Sequence, residues 1–341
     1  MNEIQGISNV LAIRFARLGD IALLLPSLAY LKASFPDARV SLLTGSRCAP
    51  LAELCPQVDA VIPVDRLAMR DGAKWKALVQ IRRLIADIRS RKFDLVVDFH
   101  SFRETNLLAW MSGARYRVGM QRSDGAYLPF CFNLNPVLED KGVHVADMFR
   151  RVSEHVHTIT DGGPAETRVI EIPADDARRV MKLLPSPPVV VLYVGASVSD
   201  RRWASERFAA VADHVIRKWS ASVLIVAGAS LREVVIAEET KAAVRETENV
   251  KVLTGLGIAE LAALFGLVEM LISNDSGPMH IGSAVGVPTL GIFSRSLPEH
   301  YRPVGSRDRY IKKDSVEEVS VEEVVQVLEE MRTTAGPDRR L

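Results

Sequence analysis

The sequence predicts an α/β protein of two doubly wound parallel-sheet units facing a central cleft. Three observations predict it. Short apolar runs such as NVLAIRFA, FDLVVDFH, PPVVVLYVG and EMLISN alternate with helical stretches, the pattern of a parallel sheet covered on both faces. The alternation lapses in a mixed stretch, 120–187, rich in Gly, Pro, Asp and His, and then restarts. The 341 residues also suit about two domains.

The elements follow in order. NVLAIRFA is a strand by its β-branched and apolar content, and GDIALLLPSLAYLKASF a helix. ARVSLLTG and AVIPV are the next strands. WKALVQIRRLIADIRS is a helix with a predicted buried stripe of Leu78, Ile81, Ile85 and Ile88, leaving Arg82, Arg83 and Arg89 outward. FDLVVDFH is a strand, ETNLLAWMSG a glycine-ended helix and RYRVGM a short strand. After the mixed stretch come strand PPVVVLYVG, helix SERFAAVADHVIRKW, strand SVLIVAG, helix LREVVIAEETKAAVRE, strand NVKVLTG and helix IAELAALFG. EMLISN, PMHIGSAVG and VPTLGIF close the second unit as strand, helix and strand. The predicted organisation is a first unit 1–170, a linker 171–187, a second unit 188–314, a last helix 315–332 and a disordered tail 333–341.

Composition excludes several function classes. With 43 basic against 42 acidic side chains, the net charge of +1 points to no nucleic-acid partner. The charge is uneven, however: 66–92 is strongly basic and 315–332 acidic. The three cysteines show no CxxC pairing and no histidine cluster, so neither a disulfide framework nor a metal site is expected. No basic region precedes a clean apolar stretch at the N-terminus, and IALLLPSLAYL is too short to span a bilayer. A cytoplasmic protein able to meet a membrane surface is expected.

Ligands in such sheets bind beyond the carboxyl ends of the strands. The loops there are ARLGD, HSFRE, GASVSDRRW, AGAS and NDSGP, all polar and small. NDSGP opens a helix. Asp275 or Ser276 can cap it, Gly277 permits close backbone approach, and the unpaired N–H groups and helix dipole favour an anion. Arg201 and Arg202 follow a strand-ending glycine in the same unit, where a pair of guanidinium groups suits a diphosphate. Glu233, after AGAS, is placed either to take ribose hydroxyls or as a plain surface carboxylate. Asp20 opens the first helix, as a dipole-stabilised carboxylate or as a general base. His100 and His280 serve equally well as polar contacts or as structural side chains. Arg66, Arg70 and Lys74 precede the basic helix and are candidates for an acidic acceptor or an anionic lipid. GxGxxG after the first strand and GxxxxGK[ST] are both missing, against a nicotinamide enzyme or a P-loop ATPase.

Four blocks together resemble a known family. IRFARLGDIALLLPSLAYLKASFP, FDLVVDFHSFRETNLLAWMSGARYRVGM, VVLYVGASVSDRRWASERFAAVADHV and ISNDSGPMHIGSAVGVPTLGIF are similar, in order, to the blocks of the heptosyltransferases, glycosyltransferase family 9. The resemblance implies a GT-B fold of two Rossmann-like domains, acceptor on the first and nucleotide sugar on the second. It implies inverting transfer of heptose from ADP-heptose, without a bound metal or other cofactor, to a lipid-linked lipopolysaccharide core saccharide. The expected location is the cytoplasm, at the inner face of the inner membrane, with no transmembrane segment. The family's catalytic aspartate falls on Asp20 and its phosphate-binding lysine on Arg201, with Arg202 beside it. The donor loop falls on Asp275, Ser276 and Gly277, with His280 beyond, and the donor-contacting glutamate on Glu233. Three departures stand out: Arg201 for lysine, Ala204 where proline is usual, and GIFSRSLPEH for the usual FG-x-T-x-P loop, with Ser294 in place of glycine. The altered Ser294–Pro298 loop leaves the sugar open. Another donor or acceptor, or a non-transferring sugar-nucleotide-binding protein or epimerase, are the alternative readings.

Overall fold

The computed structural model describes residues 4–66, 68, 74–156 and 168–334. The chain divides into two compact units, Met1–Glu171 and Ile172–Leu341. The first contains, in order, β1 (Asn9–Arg14), α1 (Leu18–Ser34), β2 (Arg39–Gly45), α2 (Ala49–Ala52), β3 (Ala60–Val64), α3 (Lys74–Ser90), β4 (Leu95–Asp98), α4 (Arg103–Met111), β5 (Tyr116–Gln121), β6 (Val137–Leu138) and α5 (Val145–Val156). Its six strands run in the order β3-β2-β1-β4-β5-β6, every pair parallel. Successive crossovers step outward from β1 to β3, and β4 then returns to the other side of β1. Pro63 sits on β3 at the sheet edge, where a missing N–H costs no ladder bond.

The second unit contains α6 (Ala174–Met181), β7 (Val189–Tyr193), α7 (Ser205–Trp219), β8 (Ser222–Ala227), α8 (Leu231–Ala243), β9 (Val250–Thr254), α9 (Ile258–Gly266), β10 (Met270–Asn274), α10 (Gly277–Val285), β11 (Thr289–Phe293), α11 (Pro298–Tyr301), β12 (Arg309–Lys312) and α12 (Val321–Thr334). Its sheet repeats the scheme, β12-β11-β10-β7-β8-β9, all parallel. Strands β7, β8, β10 and β11 are buried along their whole length, as sheets covered on both faces require. Val190, Leu192, Phe208, Val215, Ile272 and Ile292 form the centre of one core cluster. The strand order reverses between β1 and β4 in the first unit and between β7 and β10 in the second, and crevices open at the carboxyl ends there.

Several expectations need correction. Leu78 and Ile81 are not buried: they are 58% and 40% exposed, while Ile88 is 1% exposed and Leu84 and Ile85 pack on the core. A 17-residue helix is about 26 Å long, whereas strands of four and five residues reach only about 17 Å, so the first turns of α3 run beyond the sheet. Residues 171–187 are not a bare linker. They contain α6, which belongs to the second unit, where Arg179 pairs with Glu260 of α9 at 3.7 Å. The acidic end forms a short 3-10 turn, Val316–Glu318, before α12. Most of the predicted tail lies outside the described residues. Among the described residues, no helix is long and apolar enough to cross a membrane.

Candidate functional site

In the second unit, Asn274 ends β10 and fastens the loop that follows β7. Its Nδ2 donates to Val194 O at 3.0 Å, and its Oδ1 accepts from Trp203 N at 2.9 Å. Trp203 is 1% exposed, and its indole donates to Val319 O at 2.9 Å. The anchored tryptophan fixes the short turn Ser199–Arg201 before it. Arg201 Nη1 consequently lies 3.0 Å from Asp275 Oδ2, and Asp275 is 5% exposed. Ser296 Oγ donates to the same carboxylate oxygen. Arg202, half-buried, closes the turn through its N–H to Ser199 O at 2.9 Å.

The next residues open α10. Ser276 holds the N-cap position with extended backbone (φ −150°, ψ 164°), yet its side chain does not cap the helix, contrary to expectation. Its hydroxyl is instead 3.2 Å from Ser273 Oγ. Gly277 and Pro278 fill the first turn, as the sequence suggested, and Gly286 ends the helix at φ +83°. A nine-residue helix thus begins with no side-chain cap, so its free N–H groups and dipole favour an anion, while Arg201 offsets the charge of the buried Asp275 carboxylate. His280 is buried one turn in, 6% exposed.

Glu233 is half-buried. It lies in the first turn of α8, where Ser230 accepts from its N–H at 3.3 Å and donates to its carboxylate at 2.8 Å. A Cβ added at Gly195 or at Gly228 would come within 2.5 Å of a Glu233 oxygen. The two glycines leave room for this carboxylate at the ends of β7 and β8. Ser294, where a glycine was expected, is 2% exposed. Its hydroxyl donates to Asp200 O at 2.7 Å, and Lys312 donates to its carbonyl. The substituted side chain therefore ties the loop after β11 to the Arg201 turn.

The first unit gathers a different set. Arg14 ends β1 with its guanidinium 4.8 Å from the centre of the Phe149 ring. Nη2 lies 2.8 Å from Asp20 Oδ1, and Nη1 donates to Phe99 O at 2.9 Å. Asp20 is the third residue of α1, and its Oδ2 accepts from Arg17 N at 3.4 Å. At the end of β4 the fully buried Asp98 accepts from His100 N, Ser101 N and Asn106 Nδ2 at 2.8–3.0 Å. Burial raises its carboxyl to about 6, against the pull of those hydrogen bonds.

That turn holds His100, 7% exposed, with Nδ1 buried and without a partner. Its ring lies between Phe15 and Phe102, at 6.0 and 4.6 Å between centres. Arg66 stands over Phe15 at 5.1 Å and Arg122 over Phe102 at 4.4 Å. Burial and then the charges of Arg14, Arg66 and Arg122 lower the imidazole to about 3. Arg66 also pairs with Glu104 at 3.2 Å, and Arg122 with Asp124 at 3.0 Å. Of the other acceptor candidates, Arg70 and the side chain of Lys74 lie outside the described residues.

The structure thus groups Arg201, Asp275, Ser276 and Gly277 at one crevice, with Glu233 at the neighbouring strand ends. It groups Asp20, His100 and Arg66 near the other. The sequence reading missed Arg14, Asn274, Ser296, Arg122 and Asp98. For Arg14, Asp98 and Asn274 a signal existed, since each is a polar residue at the carboxyl end of an apolar strand.

The profile of glycosyltransferase family 9 (heptosyltransferase) matches residues 81–330. The chain is 24% identical over 296 residues to lipopolysaccharide heptosyltransferase 3 of Escherichia coli K12, covering 84% of this chain and 82% of that protein. A family 9 glycosyltransferase from Veillonella parvula superposes with a TM-score of 0.82 at 23% identity, covering 98% of this chain and all of the other. The E. coli heptosyltransferase WaaC with ADP gives 0.77 at 17% identity, covering 95% and 99%. These likenesses show the GT-B fold.

Proposed function

The chain belongs to glycosyltransferase family 9, the heptosyltransferases, and on that premise we propose that it moves heptose from ADP-heptose to a lipopolysaccharide inner-core acceptor. The reaction inverts the anomeric carbon, needs no bound metal or other cofactor, and takes place at the cytoplasmic face of the inner membrane. The observation that carries this reading is the mouth of α10, where Arg201 is held on Asp275 beside an uncapped helix N-terminus.

Transfer breaks the bond between the anomeric carbon and the donor diphosphate, so negative charge grows on the leaving group. Arg201 and the N–H groups at the start of α10 are donors fixed before the reaction, the arrangement that lowers such a barrier, and Arg202 adds a second positive charge beside them. Ser276 and Gly277 let the diphosphate approach the backbone, His280 lies one turn further, and Glu233 takes the ribose hydroxyls. On the acceptor side, Asp20 removes the proton of the attacking hydroxyl, and Arg14 orients its carboxylate. Arg66 and Arg122, over the rings that flank His100, suit an acidic saccharide, and we assign Arg70 and Lys74 to the same acceptor on their charge.

The test incubates the protein with ADP-heptose, with and without a lipid-linked core saccharide, in the presence of EDTA. ADP release that requires the acceptor, with a product heavier by one heptose and of inverted configuration, supports the reading. Donor consumption without transfer, or an epimerised donor, would replace it with the binding-protein or epimerase alternative. Turnover of another nucleotide sugar alone would redirect it to a different donor.

A further inference from the structure

We propose that the first turns of α3, from Trp75 to Arg83, dock the protein on an anionic lipid bilayer. Trp75 is 65% exposed, Leu78 58%, Ile81 40% and Val79 37%. Four large apolar side chains thus meet solvent within two turns of a helix whose later residues Leu84, Ile85 and Ile88 pack on the core. Cations surround them. Lys76, Arg82, Arg83 and Arg89 are all exposed, and Lys76 Nζ lies 5.7 Å from the Trp75 ring centre. No acidic residue occurs from Lys74 to Ala86; the first, Asp87, pairs with Arg91 at 3.1 Å.

This combination selects the occupant. Tryptophan and aliphatic side chains enter the boundary between headgroups and acyl chains, while lysine and arginine stems snorkel to the phosphates. An anionic leaflet draws such cations, and the attraction fades with salt. A symmetric second copy would set Lys76, Arg82 and Arg83 against their own counterparts. A nucleic acid would meet the cations and leave Leu78, Val79 and Ile81 without apolar cover. The surface goes beyond the proposed reaction and is measured without donor or acceptor.

The experiment sediments the full-length protein with phosphatidylcholine vesicles and with vesicles containing about one-third phosphatidylglycerol. Binding to the anionic vesicles alone is expected, weakened at high salt. Trp75→Ala/Leu78→Ala should lower the partition coefficient roughly tenfold. Arg82→Glu/Arg83→Glu should abolish the preference for anionic lipid, and both variants should keep the wild-type melting temperature. Wild-type failure to bind, equal binding to neutral vesicles, or variants that bind like wild type would overturn the proposal. A vesicle-independent dimer lost in the same variants would overturn it in favour of self-association.

Discussion

Arg201 Nη1 lies 3.0 Å from Asp275 Oδ2, a contact that joins the turn after β7 to the mouth of α10. The pair holds a guanidinium beside an uncapped helix N-terminus, where the proposed reaction puts the donor diphosphate. Arg201→Ala should therefore lower kcat/KM by roughly 10²-fold or more, the size of one lost electrostatic donor. Arg201→Lys should recover part of this, because charge returns without the fork geometry. Steady-state kinetics with both variants checks the pair; a wild-type kcat/KM in Arg201→Ala would remove Arg201 from the site.

Ser294 contributes a cross-link that glycine cannot make. Ser294→Gly deletes the 2.7 Å bond to Asp200 O, which should cost about 1 kcal/mol in urea unfolding. Donor KM should rise with it, since the Arg201 turn loses a restraint. Unchanged stability and donor KM would show that this bond restrains nothing.

Arg66 and Arg122 flank His100 over two aromatic rings. Arg66→Ala/Arg122→Ala should raise acceptor KM and leave donor affinity near wild type. The effect should shrink at high salt, because the Debye length falls from about 10 Å at 0.1 M to about 3 Å at 1 M. Kinetics at two salt concentrations separate this from a packing defect, which salt would not reduce. Equal acceptor KM in variant and wild type at low salt would place the acceptor elsewhere.

His100 makes stability depend on pH. Its folded value of about 3 lies below the unfolded value near 6.5, so the unfolded chain takes up the proton first. The stabilisation is complete above about pH 6.5 and is lost as the pH falls toward 3, at about 1.4 kcal/mol per unit. Urea unfolding of wild type and His100→Gln over about pH 7 to 5 should give curves that converge on acidification. Parallel curves would mean that His100 is not held neutral in the folded protein.

Much of this was legible in the sequence because doubly wound sheets place small polar loops after apolar strands. NDSGP and GASVSDRRW announced themselves in that way, and the structure brings Arg201 and Asp275 together. Exposure along a helix was not legible. Periodicity marks a stripe, as for Leu78 and Ile81, but not where the sheet beneath it ends. Short elements were missed for want of apolar signal: β6 has two residues, and α6 buries only Val180. The Arg14–Asp20 pair spans a strand and a helix, so it appears only once the turn between them is folded.

Asp20 carries the central claim, that this protein activates an acceptor hydroxyl with a carboxylate of its first unit. Asp20→Asn nearly preserves shape and removes the base. The decisive measurement is kcat for heptose transfer by this variant, with calorimetry of ADP binding alongside. The account predicts a fall of roughly 10²- to 10⁴-fold, the range for a lost general base, with ADP affinity close to wild type. A kcat near wild type would contradict it.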